Sequence, residues 1–212
     1  MITVYGDYRS GNCYKVQLTL SILGIAHRWF DIDFLAGETH SDAWAARNPA
    51  RRIPLLELHD GRTLVESNAI VHYLARGSAL LPADDFDHAR MLQWMFFEQH
   101  RHEPSLSVAR LIHWYHGDPA DRHDELIARQ EGARQALDIM EQTLAEDAWL
   151  AGERMSLADI ALFAHTHIAD QAGVPLWGWP RVTEWCARIE QCPGFVPMQQ
   201  VSGIGDTIDP YP

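Results

Sequence analysis

The rhythm of hydrophobic and polar positions changes near residue 80. Before that point, strand-like and helix-like stretches alternate. Ile2 to Tyr5 is a short β-branched and aromatic run closed by Gly6, and it reads as a strand. Val16, Leu20 and Leu23 recur at helical spacing, and Gly24 stops them. His27 to Asp33 mixes aromatic and aliphatic residues in a second strand, and Trp44 sits in a short helical piece ending before Asn48-Pro49. Leu55, Leu56 and Leu58 mark a third strand. His59-Asp60-Gly61-Arg62 then makes a hairpin turn into Thr63 to Val65. Ala69 to Ala75 closes the series as a helix, so the predicted order is β-α-β-α-β-β-α.

After Leu80-Leu81-Pro82-Ala83-Asp84-Asp85, which reads as a linker, strand signals almost vanish. His88 to His116 is a long helical stretch that Pro104 must kink or break. Ala133, Leu137, Met140 and Leu144 form the apolar stripe of a helix over His123 to Glu146. Two more helices are predicted over Leu157 to Ile168 and Pro180 to Gln191, with an irregular tail from Val201. The pattern predicts an α/β domain over 1–79 and an all-α domain over 86–212.

Composition narrows the function classes. The 212 residues carry 17 Lys and Arg against 29 Asp and Glu, a net charge of −12. A nonspecific nucleic-acid binder needs a basic surface, so that class is disfavoured. A small anionic ligand is not, because a few local cations can outweigh a distant negative field. Three Cys cannot build a disulfide framework, which points to a reducing, cytoplasmic setting. No apolar run reaches the length of a membrane span, and no basic leader stands at Met1.

Three short motifs carry candidate chemistry. Tyr8-Arg9-Ser10-Gly11-Asn12-Cys13 joins the first strand to the first helix, where a hydroxyl either caps the helix or bonds an anion such as a thiolate. Arg51-Arg52-Ile53-Pro54 precedes the third strand. There Pro54 either starts an edge strand or, as a cis proline, turns the Ile53 backbone outward to pair with an extended peptide. Glu66-Ser67 stands at the start of the third helix. Ser67 reads as an N-cap or as part of an anion site, with Glu66 placed to take an ammonium.

The three motifs, in this order on this frame and followed by a helical half, resemble the cytosolic glutathione transferase family. The resemblance is to bacterial members related to the theta, delta, beta and nu classes, and it runs from Met1 to about Gln199. Ser156-Leu157-Ala158-Asp159-Ile160 is similar to that family's capping box in the second domain. The resemblance implies a thioredoxin-like first domain that binds glutathione as co-substrate and a helical second domain that lines the pocket of a hydrophobic electrophile. It implies a serine-type, cytoplasmic homodimeric transferase in detoxification, with Ser10 and Asn12 on the sulfur and no metal. Ile53 before cis Pro54 would pair with the cysteinyl backbone, Glu66 and Ser67 would hold the γ-glutamyl end, and Arg52 and His40 are candidates for the glycyl carboxylate. Glutathione-dependent disulfide or peroxide reduction and a non-catalytic interaction module are the alternative functions.

Departures from the family pattern define further expectations. Arg51 stands where Gly is frequent, and Gly11 where Pro is frequent. Tyr5 and Tyr8 are alternative partners for the sulfur. Cys13 invites a redox reading, but no C-x-x-C accompanies it, and a buried structural thiol is expected. The 12 His read as helix-surface and cleft residues rather than metal ligands, with Arg101 or His102 directed at the acceptor or at the glutathione of a partner subunit. The task at the sulfur is modest. Lowering a thiol pKa by about two units corresponds to about 2.7 kcal/mol, within reach of one hydrogen bond to the anion plus a helix dipole.

Overall fold

The computed structural model describes residues 1–199. The chain divides into two compact units. The first contains β1 (Ile2–Gly6), α1 (Gly11–Ile22), β2 (His27–Asp31), α2 (Asp42–Arg47), β3 (Leu55–Glu57), β4 (Thr63–Val65) and α3 (Ser67–Leu74). This is the expected β-α-β-α-β-β-α order, with β2 ending two residues early. The sheet order is β2-β1-β3-β4. β1 runs parallel to β2 and antiparallel to β3, which pairs antiparallel with β4.

Strand alternation assigns the two faces of the sheet. Tyr5 stacks on Phe30 at 5.3 Å and meets Trp44 of α2 edge-on at 6.2 Å. Val4 and Gly6 point the other way, toward α1. Gly6 is there because α1 comes so close: a Cβ at this position would lie 2.9 Å from the Cys13 sulfur and from Trp29. This close approach puts the N-terminus of α1 directly beyond the end of β1.

The second unit holds α4 (Asp85–Phe97), α5 (Glu103–Arg110), α6 (His123–Leu144), α7 (Leu157–Thr166) and α8 (Pro180–Glu190). Pro104 neither breaks nor ends the long helical stretch. A π-helical turn over Glu98–His102 precedes it, and Pro104 falls in the first turn of α5, where its missing N–H is tolerated. The predicted stripe Ala133, Leu137, Met140 and Leu144 is buried on α6. Every residue of α7 is buried, which makes it the centre of this unit.

Two expectations are corrected. Pro193 to Gln199 does not belong to the helical unit; it packs with the first one. Tyr14 donates to the Val196 carbonyl and Ser21 to the Gly194 carbonyl, each at 2.7 Å. The histidines are not all at the surface either. His102 is fully buried with Nε2 2.8 Å from the Thr166 hydroxyl, and His165 is buried in α7. His102 is therefore a core residue of the helical unit. The irregular tail expected from Val201 lies outside the described residues.

Candidate functional site

All three motifs lie in the first unit. Ser10 is the N-cap of α1, and its hydroxyl oxygen accepts the Cys13 N–H at 3.3 Å. The cap uses a lone pair of the hydroxyl and not its hydrogen. Capping and donating to an anion are therefore compatible in one residue. The loop is held by Asp7, buried and bonded to Arg9: Nη2 lies 2.6 Å from one carboxylate oxygen, and the Arg9 N–H donates to the other at 2.8 Å. The Asp7 carbonyl accepts the Ser10 N–H at 3.0 Å.

The alternative sulfur partners separate. Cys13 is fully buried and accepts the Asp7 N–H. Burial pushes its thiol pKa up to about 12, so at neutral pH it stays a thiol and cannot serve as a nucleophile. Tyr5 is on the face of the sheet opposite α1, and its hydroxyl donates to Glu57 at 3.1 Å. Arg47 stacks over the same ring at 4.6 Å and bonds the same carboxylate. The expectation that Tyr5 lies near the sulfur site is thus corrected. Tyr8 stacks on Trp29 of β2 at 4.9 Å.

The peptide bond Ile53-Pro54 is cis. Neither the N–H nor the C=O of Ile53 has a partner among the described residues. The loop before it is tied down. Asn48 Nδ2 donates to the Arg52 carbonyl at 2.9 Å, and the Arg51 guanidinium bonds the His40 and Ser41 carbonyls. Arg51 has φ +54°, a left-handed conformation that explains why Gly suits this position. Its charge is directed back onto the chain before α2. The neighbouring Arg52 is exposed, and its guanidinium has no partner among the described residues. His40 is exposed as well.

The start of α3 differs from its expected form. The N-cap is Glu66, with φ +69° and ψ +111°, and its carboxylate makes no capping bond. Ser67 is the first helical residue and not the cap. Its hydroxyl donates to Asn12 Oδ1 at 3.0 Å, which ties α3 to the N-terminus of α1. The Ser67 N–H and the Glu66 carboxylate have no partner among the described residues. A donor and an acceptor thus stand side by side at the positive end of a helix dipole, an arrangement suited to the carboxylate and ammonium of an amino acid.

The motif readings missed Lys15. It is fully buried, and its Nζ lies 3.3 Å from both Ser67 Oγ and Asn68 Oδ1. A signal for it exists in the sequence. Asn12, Lys15 and Thr19 recur at helical spacing as a polar stripe along one face of α1.

Comparison with known proteins agrees with this fold. Residues 1–76 match the family model described as glutathione S-transferase, N-terminal domain, and residues 124–188 match glutathione S-transferase, C-terminal domain. A glutathione S-transferase crystal structure from Pseudomonas fluorescens superposes with a TM-score of 0.92 at 46% identity, covering 94% of this chain and 99% of that one. Maleylacetoacetate isomerase from Pseudomonas aeruginosa is 29% identical over 187 residues, 84% of this chain and 86% of the relative. The transcriptional regulator URE2 of Saccharomyces cerevisiae is 25% identical over 235 residues; the match covers 92% of this chain but only 66% of that protein. A structure of Ure2p in complex with S-p-nitrobenzylglutathione has a TM-score of 0.80 at 25% identity, with 91% of each chain covered. With both domain models matched in order and near-complete coverage by a bacterial transferase structure, the chain belongs to the glutathione S-transferase family.

Proposed function

We propose that the first unit binds glutathione and holds its sulfur as a thiolate for attack on an electrophilic carbon. The observation that carries this reading is the start of α3. Glu66 occupies a conformation costly for a side-chain-bearing residue, and it leaves a carboxylate and the adjacent N–H of Ser67 without partners among the described residues. These groups fit the ammonium and carboxylate of a γ-glutamyl end. Ile53, with an N–H and a C=O turned out beside Pro54, would pair with the cysteinyl backbone. Arg52, with His40 as a second candidate, would take the glycyl carboxylate.

At the sulfur, Ser10 offers its hydroxyl hydrogen. Asn12, whose amide oxygen is the end that receives Ser67, would turn its amide N–H to the sulfur. Both are donors, the polarity an anion requires. The thiol proton leaves to solvent, the thiolate forms a C–S bond to the electrophile, and either a leaving group departs or the new carbanion takes up a proton. Addition to an activated double bond is also the first half of a cis–trans isomerisation. The isomerase relative therefore falls within the same chemistry. The URE2 relative favours a second reading, a glutathione-binding protein whose role is to interact rather than to turn over.

Calorimetric titration with glutathione, combined with thiolate absorbance in the ultraviolet, tests the site. Binding in the millimolar range or tighter is expected, with a bound thiol pKa well below that of free glutathione. No binding at millimolar glutathione overturns the proposal. Turnover of a halogenated aromatic, a hydroperoxide, a mixed disulfide and maleylacetoacetate then sorts conjugation, reduction and isomerisation. Binding with no turnover of any of them supports the interaction reading.

A further inference from the structure

Lys15 is the one residue of this site whose burial is hard to explain by packing alone. A lysine is rarely taken wholly out of water, because its ammonium keeps its charge only where polar groups replace the lost hydration. Here two of those groups are Ser67 and Asn68, the first residues of α3. Lys15 lies one helical turn from Asn12, so both residues project from the same side of α1.

The hydrogen-bond directions along this connection are all set by the lysine. An ammonium only donates, so the Ser67 oxygen must accept from it. The Ser67 hydrogen then points to Asn12 Oδ1, 3.0 Å away. That bond fixes which end of the Asn12 amide turns toward Ser67, and with it the direction of the N–H₂ group. A cation at the head of such a chain also polarises each bond after it, making the last donor stronger. We infer that Lys15 is a positioning residue whose buried ammonium orients Ser67 and, through it, Asn12, so that one side chain sets both the γ-glutamyl subsite and the donor facing the sulfur. The inference rests on the glutathione reading above. It adds a physical coupling between two ends of the ligand that touch different helices.

The test compares two thiols, glutathione and cysteinylglycine, which lacks the γ-glutamyl group. Lys15→Met keeps the length and the apolar stem but removes the charge. Its preference for glutathione over cysteinylglycine is expected to fall about tenfold or more, the scale of a lost charged hydrogen bond. The pKa of bound glutathione is expected to rise as well. Equal losses for both thiols, or no loss for either, overturn the inference and leave Lys15 a packing residue.

Ser67→Ala cuts the connection without emptying a buried charge site and serves if Lys15→Met does not fold. It should raise the bound thiol pKa although it is not itself a partner of the sulfur. An unchanged pKa in Ser67→Ala also overturns the inference. If the unaltered chain binds no glutathione, the glutathione reading fails and takes the inference with it. Binding with intact selectivity in the variants fails the inference alone.

Discussion

Two helices of this protein begin beside a serine and an acidic residue, and they begin in opposite ways. At the start of α7, Ser156 is the N-cap and Asp159 returns to the Ser156 N–H at 2.8 Å, completing a capping box. Asp159 also accepts the Leu150 N–H at 3.0 Å and the Trp185 indole N–H at 2.9 Å, so this buried carboxylate is surrounded by donors. At the start of α3, Glu66 caps nothing with its side chain, sits at positive φ, and leaves the Ser67 N–H without a partner among the described residues. The α7 start is closed, which is what a core needs. The α3 start is open, which is what a ligand needs. Residue type alone does not separate them; the bonds already made do.

The largest expected effect strikes the closed end. Asp159→Ala leaves several buried donors unsatisfied at once and should cost about 3–5 kcal/mol of stability, seen as a lower midpoint in urea or thermal unfolding. Glutathione affinity of the folded fraction should be unchanged. A loss of affinity with stability intact would remove the distinction between the two helix starts.

The far end of α7 gives the next effect. His167 stacks on Phe163 and its Nδ1 donates to the Phe163 carbonyl at 2.7 Å. Burial pulls its pKa from 6.5 down to about 4. Between those values the unfolded chain binds a proton that the folded chain refuses. Stability from this group is therefore full above about pH 6.5 and is lost as pH falls toward 4, by up to about 3 kcal/mol. Unfolding free energies of His167→Gln should show a flatter pH dependence across that window. An unchanged slope would mean that α7 is less closed than its bonds imply.

These closed features were legible in the sequence, and the open ones only in part. The capping box at Ser156-Leu157-Ala158-Asp159 is local, so four adjacent residues suffice to read it. Strands β1, β3 and β4 were legible for the same reason: alternation and turn residues act over short spans. The pattern predicts a kink or a break at Pro104 and not a continuous stretch, because the compensating π-helical turn before it depends on packing of the whole stretch. The Ser67 reading as a cap failed by one position. What decides it is Asn12, 55 residues away, which draws the hydroxyl into another bond. Lys15 was missed because its burial follows from α1 and α3 meeting, a contact no local pattern reports. His102 and His165 read as surface or cleft residues because nothing near them in the chain reveals that their helices are enclosed.

On the open side, Ser10→Ala should raise the pKa of bound glutathione by about one to two units, the scale of a hydrogen bond to an anion. It should also cost about 1 kcal/mol of stability, since the α1 cap is lost too. The two losses are separable. Ser10→Asn restores a capping oxygen, and its stability should recover. If the thiol pKa does not move in Ser10→Ala, the sulfur is held by Asn12 or Tyr8 instead.

The smallest effect is the sharpest on the comparison, because it separates backbone from side chain at Glu66 itself. The φ of +69° disfavours any residue with a Cβ but not glycine. Glu66→Gly and Glu66→Ala both remove the carboxylate, so both should weaken glutathione binding by the same factor. Only the alanine keeps the backbone penalty. Glu66→Gly should therefore be the more stable of the two by about 1 kcal/mol, measured as a difference in unfolding midpoints. A natural side chain retained at a position where glycine is more stable is held there by what the side chain binds. Equal stability of the two variants would mean that the conformation is not costly, and Glu66 would then lose its standing as the mark of an open helix end.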